Sequence, residues 1–144
     1  MADMAKRVLG IDIGLKRTGL AISDDLGISV RPLENRVPKS RIEDVEFILA
    51  IVNDLDVGTI VIGHPVLPQS GEEGPMARRA RGFKEALEAA FRANNRDTVV
   101  VLVDECYSSK SALNRLIESG VKKGKRSQLL DSEVARMLVE EYLK

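Results

Sequence analysis

The sequence has a single cysteine, Cys106, and a single histidine, His64. One cysteine has no partner for an internal disulfide, which fits a reducing compartment. The same scarcity excludes cysteine-rich zinc sites and any catalytic triad or zinc site built from several histidines. His64 is therefore interpreted as a loop histidine, or as a buried residue with a hydrogen-bond partner, rather than as a metal ligand.

Long hydrophobic runs and an excess charge of either sign are also absent. No apolar run approaches the roughly 20 residues that span a bilayer, and residues 1–7 lack the apolar core of a secretory signal. We therefore expect a cytoplasmic protein with no membrane contact. The 22 basic and 22 acidic residues give zero formal net charge, so attraction of nucleic acid has to come from local clusters of charge.

The sequence does contain enough apolar residues, 44% of the chain, for one compact domain over residues 1–144. Hydrophobic patterns predict strands over 7–13, 18–24, 28–36, 57–63 and 99–103. Helical spacing and end signals predict helices over 41–52, 75–93, about 109–119 and 128–143. The order βββαβαβαα predicts an α/β fold with a mixed five-stranded sheet covered by helices.

An acid lies in the middle of the first apolar strand, in the segment Gly10-Ile11-Asp12-Ile13-Gly14. Side chains alternate along a strand, so Asp12 shares one face with two glycines, and the next predicted strand repeats this face of small residues. A buried carboxylate costs several kcal/mol unless a metal, a charge or hydrogen bonds stabilise it. The pattern predicts a clear surface around Asp12 that receives a positive group. The alternative is a structural acid that accepts backbone N–H bonds.

Two further segments supply acids that could join Asp12. Ligands of open α/β sheets gather at the carboxyl ends of strands, where Asp104 and Glu105 follow the last predicted strand. Alternation lets only one of the two readily face Asp12, and we favour Glu105, with both acids merely starting a helix as the alternative. Asp131 borders the packing stripe of the last helix, or is simply a first-turn acid favoured by the helix dipole.

Together, Asp12, Glu105 and Asp131 form a set of oxygen donors from separate parts of the chain. Mg²⁺ and Mn²⁺ prefer such ligands, and two ions roughly 4 Å apart can activate water and stabilise the leaving oxygen in phosphodiester cleavage. The trio thus points to a divalent-metal-dependent phosphodiester hydrolase.

Basic residues are clustered, in contrast to the neutral total. One cluster is Arg78-Arg79-x-Arg81, and a second forms a predicted loop before the last helix. The alternative for each is a solvated surface. The residues expected to contact phosphates of a nucleic acid are Lys16, Arg17, Arg79, Lys122, Lys123, Lys125 and Arg126.

Several of these segments, in order and spacing, match a known family over nearly the whole chain. The matching segments are Gly10–Asp24, Gly63-x-Pro65, Gly71-x-x-Gly74-Pro75 with Arg79 and Phe83, Asp104-Glu105, and Lys125-Arg126 followed by Asp131-x-x-x-Ala135. On these residues the chain resembles the bacterial YqgF family, also called the RuvX or pre-16S rRNA nuclease family. The resemblance implies a fold like that of ribonuclease H and the RuvC-type Holliday junction resolvases.

The resemblance also implies metal-binding roles for Asp12, Glu105 and Asp131, the same trio that strand faces and spacing suggest. It implies a nuclease that acts on structured nucleic acid and processes the 5′ end of precursor 16S rRNA, in association with ribosomal particles. Cleavage of a branched DNA junction is the second choice for its substrate.

Two hypotheses of other classes remain. The segment Asp12-x-Gly14 and the glycine-bearing second strand also resemble the first phosphate loop of actin-like and hexokinase-like ATPases. Those proteins close two related domains over the nucleotide, and 144 residues hold only one. The other hypothesis is a non-catalytic factor that binds nucleic acid or the ribosome through its basic segments alone.

Overall fold

The sheet contains five strands in the spatial order β3-β2-β1-β4-β5. The computed structural model describes residues 6–65, 70, 72–104 and 109–144, apart from four side chains at 109, 110, 127 and 128. The strands are β1 (Arg7–Asp12), β2 (Thr18–Ser23), β3 (Val30–Arg36), β4 (Val57–His64) and β5 (Val99–Asp104). The helices are α1 (Arg41–Leu55), α2 (Pro75–Ala93), α3 (Ser109–Glu118) and α4 (Lys123–Leu143).

Strand directions place three carboxyl ends at one edge of the sheet. β1 pairs antiparallel with β2, and β2 pairs antiparallel with β3, whereas β1, β4 and β5 run parallel to one another. Asp12, His64 and Asp104, which end these three strands, therefore lie at the same edge. The mixed five-stranded α/β fold predicted from the sequence is confirmed.

The two faces of the sheet pack against different helices, as the alternation in β1 predicts. Leu9 and Ile11 belong to the larger core, which includes Val52 of α1 and Leu87 of α2. On the other face, Val8 of β1 packs in a smaller cluster with two residues of α4, Leu138 and Val139. Within the described part of the chain, none of the helices combines the length and apolar character needed to cross a lipid bilayer.

Local signals explain where most helices begin and end. Ser40 caps α1, because its hydroxyl accepts the backbone N–H of Glu43 at 3.2 Å, and Pro75 occupies the first turn of α2. After α3, Gly120 adopts a φ of 81° and donates its N–H to the carbonyl oxygen of Ile117.

The predicted start of the last helix is wrong. α4 begins at Lys123 rather than at residue 128, so the basic segment 122–126 is not a loop but the N-cap and first turn of the helix. Cations are unfavourable at the positive end of a helix dipole, and Gly124 is a weak helix former. Both features disguise a helix start in the sequence.

Candidate active site

Asp12 ends β1 on the side of the sheet that faces α4. It shares this side with Gly10, and a methyl group on Gly10 would lie 2.6 Å from the carbonyl oxygen of Ala135 in α4. The glycine therefore lets the helix backbone pack directly on the strand. The surface expected to be clear is largely covered by α4, and Asp12, half-buried, lies where the strand ends.

Gly19 lies next to both Asp12 and the backbone of Asp131. Asp12 pairs with Gly19 across the β1–β2 ladder. On the α4 side, a methyl group on Gly19 would lie 2.0 Å from the carbonyl oxygen of Asp131. One acid thus borders Gly19 from the neighbouring strand and the other from the helix above it.

The position of Asp131 within α4 removes one of its two interpretations. Because the helix begins at Lys123, Asp131 lies about two turns inside it, beyond the first turn in which the dipole stabilises acids. The carboxylate instead pairs with Arg17 of the β1–β2 turn, with 3.2 Å between Nε and Oδ2. Such a partly exposed pair contributes at most about 1 kcal/mol, so it leaves the carboxylate available to another cation.

Ser132, which no pattern in the sequence marks as functional, fixes Asp131 from the next position. Its side chain is buried, and its hydroxyl donates to the carbonyl oxygen of Leu33 in β3 at 2.9 Å and contacts the side-chain oxygen of Asn35. A buried hydroxyl on a helix that crosses two strands is satisfied here through tertiary contacts with those strands. No local pattern in the sequence signals them.

At the ends of β4 and β5, Asp104 lies beside His64. These residues are partners across the parallel ladder, and 3.8 Å separate His64 Nδ1 from Asp104 Oδ1. His64 Nε2 lies 2.5 Å from Oε2 of Glu73, and Arg81 pairs with the other oxygen of Glu73. The ring of His64 is thus held by carboxylates at the carboxyl edge of the sheet.

Asp104 lies on the side of the sheet opposite to Asp12. His64 follows Ile60 and Ile62 on the side of the large core, whereas Val103, one residue before Asp104, packs in the cluster of α4. Glu105, the preferred candidate, lies outside the described residues. Among those that are described, no three histidines, cysteines or acids converge as a metal-binding group.

The predicted basic residues fall into three places. Lys16 is exposed in the β1–β2 turn beside Arg17, and Arg79 projects from α2 on the other side of the sheet. The third group lies at the start of α4. It comprises Lys122, Lys123 and Lys125, which are exposed, and Arg126, whose Nε donates to the carbonyl oxygen of Val121 at 3.2 Å.

Comparison with known proteins yields matches over almost the whole chain. The family model described as RuvX, Holliday junction resolvase, matches residues 6–144. A protein of Anaeromyxobacter sp. (strain K) is 36% identical over 137 residues, covering 95% of this chain and 96% of the relative. One from Halothermothrix orenii is 34% identical, covering 95% and 94%. Both relatives carry the name "Putative pre-16S rRNA nuclease".

Solved structures share the fold at low sequence identity. The RuvC protein of Thermus thermophilus in complex with a Holliday junction substrate aligns with a TM-score of 0.57 and 17% identity, covering 95% of this chain and 93% of that one. The fowlpox virus Holliday junction resolvase aligns with a TM-score of 0.61 and 12% identity, covering 95% and 96%. The fold is therefore that of the ribonuclease H-like nucleases, as expected.

Proposed function

Since the chain belongs to the RuvX family, we propose that it is a divalent-metal-dependent nuclease that acts on structured nucleic acid. The observation that carries the proposal is that Asp12, from the neighbouring strand, and the backbone of Asp131, from the helix above, both border Gly19 at the carboxyl edge of the sheet. Two acids from segments far apart in the sequence thus border one residue at the edge where α/β folds bind their ligands. Neither a helix dipole nor a nearby apolar stripe requires that arrangement.

Asp12, Glu105 and Asp131 are the residues that would hold the ion, Mg²⁺ or Mn²⁺. The described pair fits this role, because both members offer carboxylate oxygens, which hard cations prefer, and because the partner of Asp131 among the described residues is the partly exposed Arg17. Strand alternation after Val103 favours Glu105 over Asp104 as the third member. The bound ion would activate water for attack on phosphorus.

The first turn of α4 provides the cations for a nucleic acid. Lys122, Lys123 and Lys125 are exposed around a helix N-terminus that carries no acid in its first turn. The partial positive charge of the helix end adds to that of the lysines and attracts phosphates. Lys123 precedes Asp131 by about 12 Å along the helix axis, so a strand bound there can reach the acids.

The substrate we propose is precursor 16S rRNA, cleaved at its 5′ end within a ribosomal particle in the cytoplasm. This choice is supported by the name of the relatives at 34% to 36% identity. A four-way DNA junction is the second candidate, supported by the description of the family model. Phosphate contacts do not read sequence, so the shape of the nucleic acid has to provide the specificity.

The experiment compares cleavage of a structured precursor rRNA fragment and of a four-way DNA junction, with Mg²⁺ or Mn²⁺ and with a chelator. Asp12→Asn keeps the size of the side chain but removes its charge, and we expect it to abolish cleavage. Asp25→Asn is the matched control, because Asp25 is an exposed acid in the turn at the opposite edge of the sheet. It should cleave like the parent.

The outcomes separate the candidate functions. Metal-dependent cleavage that Asp12→Asn removes supports the nuclease, and the faster substrate decides between RNA processing and junction resolution. Binding of either nucleic acid without cleavage under any metal condition supports the non-catalytic factor. Stabilisation by ATP that needs neither metal nor Asp12 supports the phosphate-binding alternative.

A further inference from the structure

A cavity of about 180 Å³ opens on the side of the sheet opposite to the acids. Its floor is apolar and deeply buried, since Leu20, Ile48 and Phe83 contribute side chains that are at most 6% exposed. Its rim carries Lys39 and Arg41 together with other basic side chains. The cavity lies between α1, α2 and the β1–β2 turn, and it has no role in the proposed cleavage site.

The rim holds three cations in addition to Arg36. Lys39, Arg41 and Arg79 form no ion pair with a carboxylate in the part of the chain that the structure describes. Asp44, the acid of the lining, is occupied by Arg36, with 3.0 Å between Oδ1 and Nε. It also accepts the backbone N–H of Lys39 at 3.0 Å.

The side chain of Arg41 reaches from α1 to α2. It begins α1, yet its guanidinium lies against α2, where a methyl group on Gly82 would be 3.4 Å from Nη1 and Nη2. The same guanidinium lies 6.0 Å from the ring centroid of Phe83. These contacts hold the guanidinium beside the mouth of the cavity. An arginine positioned in advance loses less conformational freedom when it binds an oxyanion.

A cleft that is lined by positive charges and has low-dielectric walls concentrates the electric field that attracts an anion. The buried floor ends the cavity on one side, and a chain end can be accommodated above it. A terminal phosphate monoester also carries more negative charge than an internal phosphodiester. We infer that this cavity binds the terminal phosphate of a nucleic-acid strand, with Lys39, Arg41 and Arg79 as its ligands.

The cavity and the acids lie on the two sides of one turn. Gly14 and Thr18 line the cavity, while Arg17 between them pairs with Asp131 on the other side. A strand whose end is held in the cavity can therefore pass the turn toward the acids. The inference names a substrate feature for the proposed nuclease and in that respect rests on it, although binding can be measured without cleavage.

The test measures binding of single-stranded RNA oligonucleotides of one sequence that carry a 5′-phosphate, a 3′-phosphate or only hydroxyl ends. Fluorescence anisotropy is recorded in a chelating buffer, so that no cleavage occurs. We expect a terminal phosphate to lower the Kd about tenfold, as two or three charge-assisted hydrogen bonds would. Comparison of the two phosphorylated strands identifies the end that is bound.

Arg41→Gln and Arg79→Gln should each remove most of the gain from the terminal phosphate, and Arg41→Gln should leave binding of the hydroxyl strand nearly unchanged. Arg92→Gln is the matched control, because Arg92 is exposed on α2 away from the cavity. Thermal melting verifies that each variant is folded. Lys39→Gln, at a position outside the helices, should also reduce the gain in affinity from the terminal phosphate.

Equal affinity for phosphorylated and hydroxyl strands in the folded parent overturns the inference, and so does a gain that survives in both arginine variants. The proposed function fails separately. If the parent cleaves its substrate but the terminal phosphate adds no affinity, only the cavity assignment is wrong. If the phosphate adds affinity but no metal supports cleavage, only the nuclease proposal is wrong.

Discussion

Replacement of Gly19 by alanine should separate α4 from the sheet. The added carbon would lie 2.0 Å from the carbonyl oxygen of Asp131, 2.2 Å from its carbonyl carbon and 2.7 Å from the amide nitrogen of Ser132. All three atoms belong to the helix backbone, so no side-chain rotation relieves the clash. A carbon next to a carbonyl oxygen needs about 3.3 Å, and the helix must therefore shift by about 1.3 Å.

Overpacking of this kind typically costs about 1–3 kcal/mol of the free energy of unfolding. For a chain of this length, each kcal/mol lowers the Tm by about 2–4 °C, which predicts a fall of about 2–12 °C. The shift also moves Asp131 relative to Asp12. A displacement of about 1 Å can reduce catalysis about 100-fold, so cleavage should fall far more than stability alone explains.

The assay is thermal melting followed by circular dichroism, with cleavage measured well below the Tm. Gly124→Ala, in the same helix, is the matched control, because no atom lies within 4 Å of the added carbon. A glycine in a helix costs up to about 1 kcal/mol relative to alanine, so this variant should melt at or above the temperature of the parent. A Gly19→Ala protein that melts within 1 °C of the parent, roughly the error of such a measurement, would refute the close approach of α4 to β2.

Three further predictions concern Ser132, the lysines in the first turn of α4 and the proposed metal site. Ser132→Ala should lower the free energy of unfolding by about 1–3 kcal/mol, because acceptors in β3 lose their buried donor, and an unchanged urea midpoint would contradict this. Substitution of both Lys123 and Lys125 by glutamine should reduce the slope of log K against log salt by about two, whereas an unchanged slope would leave both as merely solvated side chains. Millimolar Mn²⁺ should stabilise the parent by about 1–3 kcal/mol in thermal melts, and an equal effect on Asp12→Asn would argue against the metal site.

The sequence was sufficient to predict the sheet and most helix bounds, because those depend on local periodicity. Alternation in β1 separates Leu9 and Ile11 from Gly10 and Asp12, and the structure packs Leu9 and Ile11 in the core with α1 and α2 but Gly10 against α4. The end signals of α2 are equally local, and its predicted range, 75–93, agrees with the structure. Residues that are neighbours in the sequence are enough to determine such features.

The features that escaped prediction depend on contacts between distant segments. The small face at Gly19 was interpreted as space for a ligand, whereas most of that space is filled by the backbone of α4, more than 100 residues later in the chain. The pair of Arg17 and Asp131 joins the same two segments. The cationic cavity likewise needs β2, α1 and α2 in their final positions before Arg41 and Arg79 can share it.

The arrangement of the cavity and the acids has a consequence for where a substrate is cut. The β1–β2 turn has the cavity on one side and the pair of Arg17 and Asp131 on the other, and the turn is short. Gly14 makes it tight, since a methyl group there would lie 2.3 Å from the carbonyl oxygen of Arg17.

A rigid separation between a bound strand end and the acids would fix the number of nucleotides between the terminal phosphate and the cleaved bond. Substrates whose phosphorylated end is lengthened by one, two or three nucleotides should then be cut at a constant distance from that end. Cleavage that stays at one position of the structured part, whatever the length of the end, would show that shape alone selects the bond.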